Sequence, residues 1–594
     1  MAGPVEPDFF LGIGVIFAAS AIAGALALKA RLSPIVGFIA VGAIMGPSGL
    51  NLVPKGPMLD LFAEIGILLL LFVVGVEFEV EKISSVGPAM ITVGLLQTSL
   101  SFLMGYLAGL VLGWSPLSSM YLGGALMFSS TAIIVKMLQD MGYAGTPEYE
   151  ASVGVLVLQD AMAVMLLIIL LNAAATGGAS LDVVATTLAK TLTFITLAVA
   201  MGVKAVPYLL EKVSRLKMPE APLLTALSLA FLVAYAAKWL GVSAAVGAFT
   251  AGLTIAYSPN AKLVRDVVSP LKDFFMTVFF VSIGTLIALK PSQLIDVALL
   301  TAGLLALIVA SRVVGCSIGG LMGGLSEPSS LTVAAMLVPI GEFSFIIAKQ
   351  GAELGLLPPT LFPALVSACV VTTIVAPPLI KRMPDAAVKA VERQPALLKA
   401  MSTFLGRVLG GSFKHMLQSR AHFDRFKERV KSMALDAFLV FIALSVVSLL
   451  RPYLIAFHAS IPQLQVIDAE AFILVVTAAA VAYPLLDLLM DADKVVSMLT
   501  LQALARYPRL AKEGGSVKRV VRNFTLSSLL IALMVLLAPG LSTASNMPNL
   551  SMAASLTITG LILLLIFDAA LVLNKGLWKA VREALRPHAA HEVG

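Results

Sequence analysis

Charge is scarce in this sequence. Asp, Glu, Lys and Arg supply 13% of its 594 residues, against about 25% in an ordinary soluble domain. A chain this long with so little charge has too little polar surface to be one solvated globule. Cysteine is rarer still. The two cysteines, Cys316 and Cys369, lie in apolar segments and read as small buried hydrophobes, which excludes a disulfide framework and a thiolate metal site. No strand–turn–helix G-x-G-x-x-G is present, so a nucleotide-binding domain is not expected. The nearest Gly-rich run, GCSIGGLMGG at 315–324, closes an apolar helix and reads as close helix packing. Catalytic triads, metal clusters and phosphate loops are absent too, so the expectation is no enzyme and no cofactor. The opening MAGPVEPD lacks the positive n-region of a secretory signal peptide, so the first apolar segment reads as a retained membrane helix.

Apolar residues are what the chain has in excess. They make up 59% of it, in blocks near the roughly 20 residues that cross a bilayer. The pattern predicts an all-α polytopic membrane protein. Spans are expected near 8–30, 33–52, 60–79, 87–113, 117–139, 149–174, 181–210, 222–238, 242–257, 271–289, 294–322, 329–352 and 360–380. Lys29 and Arg31, then Lys212, Arg215 and Lys217, then Lys262 and Arg265 fall in loops on one side, whereas NAAATGGAS at 172–180 on the other is nearly uncharged. Positive-inside bias makes the first side cytoplasmic and puts the N-terminus outside. The net charge of +7 is therefore topological and does not call for nucleic acid.

Residues 383–430 form a basic stretch that reads equally as a solvated linker or as an amphipathic helix on the cytoplasmic membrane face. Four more apolar blocks follow, near 434–456, 470–490, 524–543 and 552–574, with a basic loop carrying Arg506, Arg509, Lys512, Lys518, Arg519 and Arg522 between the middle pair. That phase keeps the C-terminus, with Lys579, Arg582 and Arg586, cytoplasmic. Three units result: a transmembrane domain over 1–382, the basic linker over 383–430, and a four-helix transmembrane appendix over 431–594. Asp436, Asp487, Asp491 and Asp568 lie near the ends of the appendix helices and read as interfacial acids facing water.

Ionisable residues inside spans mark ion or substrate pathways by default. Asp160, in GVLVLQDAMAVMLLIILL, is the clearest. Its helical neighbours Leu156, Val157, Ala163 and Val164 offer no partner, so a partner must come from another helix or a bound ion. A carboxylate balanced between desolvation and neighbouring charge can hold a proton or a cation, but not both, which is the least an exchanger needs. Two helix breaks accompany it. Ser129, Ser130 and Thr131 in MFSSTAIIVKMLQD can bond freed backbone or offer oxygens to an ion. Pro339 and Gly341 interrupt MLVPIGEFSFIIAKQG at a similar depth. Such pairs of broken helices are typical of inverted-repeat transporters, which bind ions near the midplane. Arg312 and Glu342, opposite in charge on consecutive spans, are expected to form a supporting ion pair. Glu77 and Glu79 end the third span at the inner edge, as water-facing acids or as a cation-attracting inner mouth.

Taken together, SPIVGFIAVGAIMGPSGLNL, LLLLFVVGVEFEVEKI, FSSTAIIVKML, LVLQDAMAV, GAFTAGLTIA, KDFFMTVFFVSIG and PIGEFSFIIAKQG resemble, in order, segments of the monovalent cation/proton antiporter superfamily, in particular its Kef-like branch. The resemblance covers about residues 8–382. It implies a thirteen-helix inverted-repeat core with crossed broken helices, a dimerisation unit moving against an ion-transport unit, and a homodimer in the cell membrane. It also implies that Asp160 is the ion-binding carboxylate. Electrogenic relatives carry two adjacent acids where this chain has Gln159 and Asp160, so one charge exchanged for one is implied, with Na⁺ or K⁺ against H⁺. The family's basic residue on the penultimate pair of core helices corresponds to Arg312. Unlike Kef efflux systems, the chain shows no nucleotide-binding regulatory domain. The competing readings are a gated cation channel, and a sodium-coupled organic solute transporter on a similar fold.

Overall fold

The computed structural model describes residues 9–30, 34–47, 49–52, 57–77, 88–175, 181–214, 218, 220–285, 287, 291–411, 420–461, 469–507, 513–523 and scattered positions of 526–572. Several sequence expectations fall outside these residues: Glu79, the loop cations Arg31, Arg215, Lys217, Arg509 and Lys512, most of the last two apolar blocks, and the C-terminal Lys579, Arg582 and Arg586.

The described chain is helical, apart from one isolated bridge taken up below. Its helices are α1 (Phe9–Lys29), α2 (Pro34–Met45), α3 (Pro57–Glu77), α4 (Pro88–Val111), α5 (Pro116–Met127), α6 (Thr131–Asp140), α7 (Pro147–Ala175), α8 (Leu181–Ser214) and α9 (Ala221–Trp239). They continue as α10 (Ala244–Ala256), α11 (Ala261–Thr285), α12 (Leu294–Met322), α13 (Glu327–Met336), α14 (Glu342–Glu353), α15 (Leu361–Glu392), α16 (Ala396–Thr403), α17 (Arg420–Ser460) and α18 (Ala469–Arg506). Proline opens α2, α3, α4, α5 and α7, where its fixed φ suits the first turn and its missing N–H costs nothing. The short helices α5 and α13 start alike. Ser115 Oγ accepts from the Ser118 N–H and Ser326 Oγ from the Ser329 N–H, with Pro in each first turn. This is the N-cap pattern, repeated in the two halves of the core.

Among the described residues, eight helices, α1, α3, α4, α8, α9, α11, α12 and α15, are long and apolar enough to cross a membrane, and α2 and α10 are shorter apolar helices. They pack in two groups. In one, α3 lies against α10 and α11, α2 against α11 and α9 against α10. In the other, α4 packs on α5, α7 and α12, while α13 fits between α12 and α15. Because lipid is as apolar as the side chains, close backbone approach rather than apolar burial drives such packing. The α4–α12 contact shows it. A Cβ at Gly315 would lie 2.5 Å from the Gln97 Cα, so only glycine lets these helices touch there. A core cluster containing Phe128, Phe279, Phe280, Phe343, Phe345 and Phe362 spans the two groups.

Beyond residue 380 the helices cut across the boundaries expected from composition. Residues 383–392 complete α15, residues 404–410 form a π-helical turn, and α17 runs unbroken from Arg420 through the next apolar block. Nothing in RAHFDRFKERVKSMALDAF breaks a helix, so charge there changes the solvent-facing pattern without ending the element. The π-turn residues Phe404 and Leu405 pack on Leu321 of α12 and on Val495 and Val496 of α18, and α17 packs along α8 and α18. Two acids of this region are less exposed than water-facing residues would be. Asp436 and Asp491 are buried, with Asp491 held by Arg429 at 3.1 Å and Lys494 at 2.7 Å. Asp568 pairs with Arg519 at 2.6 Å. Helix-on-helix contact, invisible to hydropathy, covers Asp436 and Asp491.

Candidate functional site: two crossed breaks and a carboxylate

The span expected at 117–139 is two helices, α5 and α6, separated by extended residues 128–130. The span expected at 329–352 is likewise split into α13 and α14 by residues 337–341. Pro339 forces Val338 out of helical geometry and removes a donor, which accounts for the second break. The first has neither Pro nor a non-helical glycine. Its serines offer side-chain bonds that compete with the helix ladder.

The two breaks cross and bond to each other. Ser129 and Ile340 form an antiparallel bridge. The Ser130 N–H donates to the Pro339 carbonyl at 3.0 Å and the Gly341 N–H to the Phe128 carbonyl at 3.1 Å. A Cβ at Gly341 would meet the Ser129 carbonyl oxygen at 2.6 Å, so the crossing requires glycine there. Side chains bond further freed groups. Gln159 Oε1 accepts from the Ser129 N–H at 2.8 Å, and Ser129 Oγ donates to the Leu337 carbonyl at 2.8 Å. Unwound backbone inside a membrane survives only with such internal partners.

Four half-helix ends meet here, each carrying about half a unit of charge. The two C-terminal, negative ends face Arg312, which is fully buried. Its Nε donates to the Leu337 carbonyl at 3.1 Å, Nη2 to the Leu126 carbonyl at 3.3 Å, and Nη1 to Ser101 Oγ at 2.6 Å. The two N-terminal, positive ends carry the acids. Glu342 is the first residue of α14, and Asp160 accepts from Thr131, the first residue of α6, at 3.2 and 3.4 Å through its two carboxylate oxygens. The expected Arg312–Glu342 ion pair is therefore not formed. Helix ends of opposite polarity offset each charge separately.

Ser129, Ser130, Thr131, Gln159 and Asp160 do come together, but with divided tasks. Ser129 is spent on the other break, and Ser130 caps α6 by accepting from the Ile133 N–H at 3.4 Å. Gln159 is fully buried and turned toward Ser129. Of the three hydroxyls, Thr131 reaches Asp160. Asp160, Thr131 and Glu342 are half-buried and keep contact with solvent. Among the described residues, no basic side chain forms an ion pair with Asp160 or Glu342. Glu342 and Glu77 are like charges in the surroundings of Asp160, and Lys272, Asp273 and Glu77 are charges in the surroundings of Glu342. Glu77 itself is exposed at the end of α3, 3.9 Å from Arg265. On α14 beyond Glu342, buried Lys349 pairs with Glu353 at 3.4 Å and lies 5.2 Å from the Phe279 ring centre.

The sequence reading missed three residues of this region. Lys349 is ionisable inside a span, the same signal that singled out Asp160. Gln97 and Ser101 on α4 carry no such signal, because neutral polar residues are common in membrane helices.

Two mutually bonded helix breaks around a carboxylate define a secondary transporter of the crossed-helix type. The chain belongs to the sodium/hydrogen exchanger, transmembrane, family, whose profile matches residues 15–384. It is 30% identical over 380 residues to the Na(+)/H(+)-K(+) antiporter GerN of Bacillus cereus, covering 64% of this chain and 96% of that one. It is 29% identical over 377 residues to the probable Na(+)/H(+) antiporter GerT of the same organism, covering 63% and 99%. Among solved structures, the sodium proton antiporter MjNhaP1 of Methanocaldococcus jannaschii aligns with a TM-score of 0.47 at 15% identity, covering 64% of this chain and 98% of that one. The family is one of multi-pass membrane antiporters of cations and protons, transporters rather than enzymes.

Proposed function

We propose that this chain exchanges Na⁺ or K⁺ for H⁺, one charge for one, by alternating access, with Asp160 as the carboxylate that cation and proton share. The observation that carries this is the setting of Asp160. It is a half-buried acid deep in the helical core, bonded to one hydroxyl, at the positive end of a half-helix and without a basic partner among the described residues. Such a group needs a proton or a cation, and can accept either. Asp160 and Thr131 would hold the ion, with water completing its shell. Gln159 does not ionise, which supports one-for-one exchange. Arg312 stays charged and serves the crossing. Glu77 and Glu342 would draw cations inward from the cytoplasmic mouth. The remaining assignments rest on hydropathy and charge (thirteen core spans, an outside N-terminus and a cytoplasmic C-terminus) and on the family resemblance (a homodimer in the cell membrane).

The test is proton flux in proteoliposomes with an imposed pH gradient. Na⁺, K⁺, Li⁺ or choline is added in turn, with and without a voltage clamp, and Asp160→Asn is run alongside. Cation-dependent collapse of the gradient, indifferent to voltage and abolished in the variant, is expected. Wild-type exchange by a folded Asp160→Asn protein would remove Asp160 from its role. Tracer cation leak without proton movement would favour the channel reading, and voltage-dependent exchange lost in Glu342→Gln would make Glu342 a second exchanging acid.

A further inference from the structure

We infer that Gln97 on α4 is a positioning residue for exchange: it locks the amide of Gln159, and through it the unwound crossing beside Asp160, in one orientation. The inference rests on the reading of Asp160 as the exchanging carboxylate.

Gln97 is fully buried, and its neighbours leave it one orientation. The Ser129 N–H can only donate, so Gln159 must present Oε1 to it, at 2.8 Å. The Gln159 amide nitrogen then faces away and donates to Gln97 Oε1 at 2.7 Å. Gln97 Nε2 in turn donates to Ser101 Oγ at 2.9 Å. Ser101 must accept there, because its own hydrogen goes to the Gln97 carbonyl or to Ser311 Oγ, at 2.9 and 3.0 Å. The same oxygen also accepts from Arg312, a permanent donor that offers no acceptor. Arg312 Nε ends on the Leu337 carbonyl, where Ser129 Oγ also donates. The bonds therefore close a ring through α7, α4, α12 and both breaks, with its polarity set by a charge that does not titrate.

The ring explains how a neutral amide next to the exchanging acid stays fixed while the charge of Asp160 changes. If Gln159 turned over, its NH₂ group would face the Ser129 N–H, donor against donor, and the residues leading into Thr131 would lose their anchor. Gln97 is the side chain that holds Gln159 against that turn. It lies on a different helix from Asp160, and its link to that residue runs through Gln159, the chain neighbour of Asp160 on α7. The charged groups around Asp160 itself, Glu342 and Glu77, are not part of the ring.

The experiment measures exchange in proteoliposomes against cation concentration and pH for Gln97→Leu, Gln97→Glu, Gln159→Leu and the Gln97→Leu/Gln159→Leu double variant, with thermal stability recorded for each. Gln97→Leu should weaken apparent cation affinity about tenfold, the effect of one lost buried hydrogen bond, and shift the pH profile. Gln97→Glu should recover most of the affinity, since a carboxylate accepts from Gln159 and from the Ser101 hydroxyl. Gln159→Leu should match Gln97→Leu, and the double variant should be no worse than either, as residues acting as a unit behave. A Gln97→Leu protein with wild-type affinity and pH profile, or additive losses in the double variant, would overturn the inference. If Gln97→Leu does not fold, Ser101→Ala removes the ring's fixed end by a smaller change, and an unmoved profile there counts equally against it. Asp160→Asn separates the two readings. Exchange surviving in that variant sinks the assignment of Asp160, whereas its loss together with a normal Gln97→Leu sinks the role of Gln97 alone.

Discussion

A guanidinium buried among membrane helices persists only where its donors are filled. Arg312 places three nitrogens on the carbonyls that end two half-helices and on the Ser101 hydroxyl. Arg312→Ala leaves those acceptors short of donors, and hydrogen bonds to a charged group are worth about 1.5–3 kcal/mol each. The variant should therefore melt several degrees lower, and, because it removes the fixed charge that sets the ring's polarity, its folded fraction should show the weakened cation affinity expected of Ser101→Ala, as thermal unfolding and flux assays on the same preparation would show. A variant as stable as the wild type would remove Arg312 from its role in holding the crossing. At this scale the sequence was legible where a cost attaches to a single residue. Asp160, Arg312 and Glu342 stood out because a charge in a span demands a reason. The partner of each did not, because a residue string shows side-chain charges and hides helix ends. Opposite signs on consecutive spans suggested a pair, but the half-helix termini separate Arg312 from Glu342. Gln97 was hidden for another reason: a neutral amide costs little in a membrane helix, and its importance comes wholly from what Gly315 allows α4 and α12 to bring together.

At the scale of elements, the crossing depends on two backbones touching. Gly341→Ala would place a methyl group 2.6 Å from the Ser129 carbonyl oxygen. Overpacking of this kind typically costs about 1–3 kcal/mol, and here the strain falls on the residues that lead into Thr131. Lower thermal stability and a marked loss of exchange are expected together. Gly303→Ala is the matched control. It lies on α12 with no heavy atom within 4 Å of the new Cβ, and alanine in a helix interior is favoured over glycine by about 0.5–1 kcal/mol. That variant should keep its activity and melt no lower than the wild type. If both variants behaved alike, close approach at the crossing would not be what limits the fold. The breaks were partly readable beforehand. Pro339 announces one by its chemistry. The serines at 129–130 announce the other only in company, since their hydroxyls could as well have faced a neighbouring helix within an unbroken span.

At the scale of the molecule, the question is whether the chain beyond residue 392 is a separate unit or part of one fold. Composition suggested a boundary at a basic linker. The helices instead run across that boundary, and the π-turn after α16 packs its side chains between α12 and α18. Phe404 is fully buried at this junction, against Leu321 near the end of the helix that carries Arg312. The two positions are nine residues apart on α12, roughly 13 Å along a helix. Truncating a buried Phe to Ala costs about 3–5 kcal/mol where the cavity does not collapse. If the junction makes the C-terminal helices one cooperative body with the core, Phe404→Ala should lower a single unfolding transition of the whole chain. Cation affinity and the pH profile of exchange should stay unchanged, because no ring or site residue moves. Two resolved transitions in calorimetry, with the wild-type melting temperature kept for the one that sodium or potassium stabilises, would show that the C-terminal helices fold on their own account. The sequence could not answer this, because Phe404 looks like any aromatic in a basic stretch, and its burial is decided by α12 before it and α18 after it in the chain.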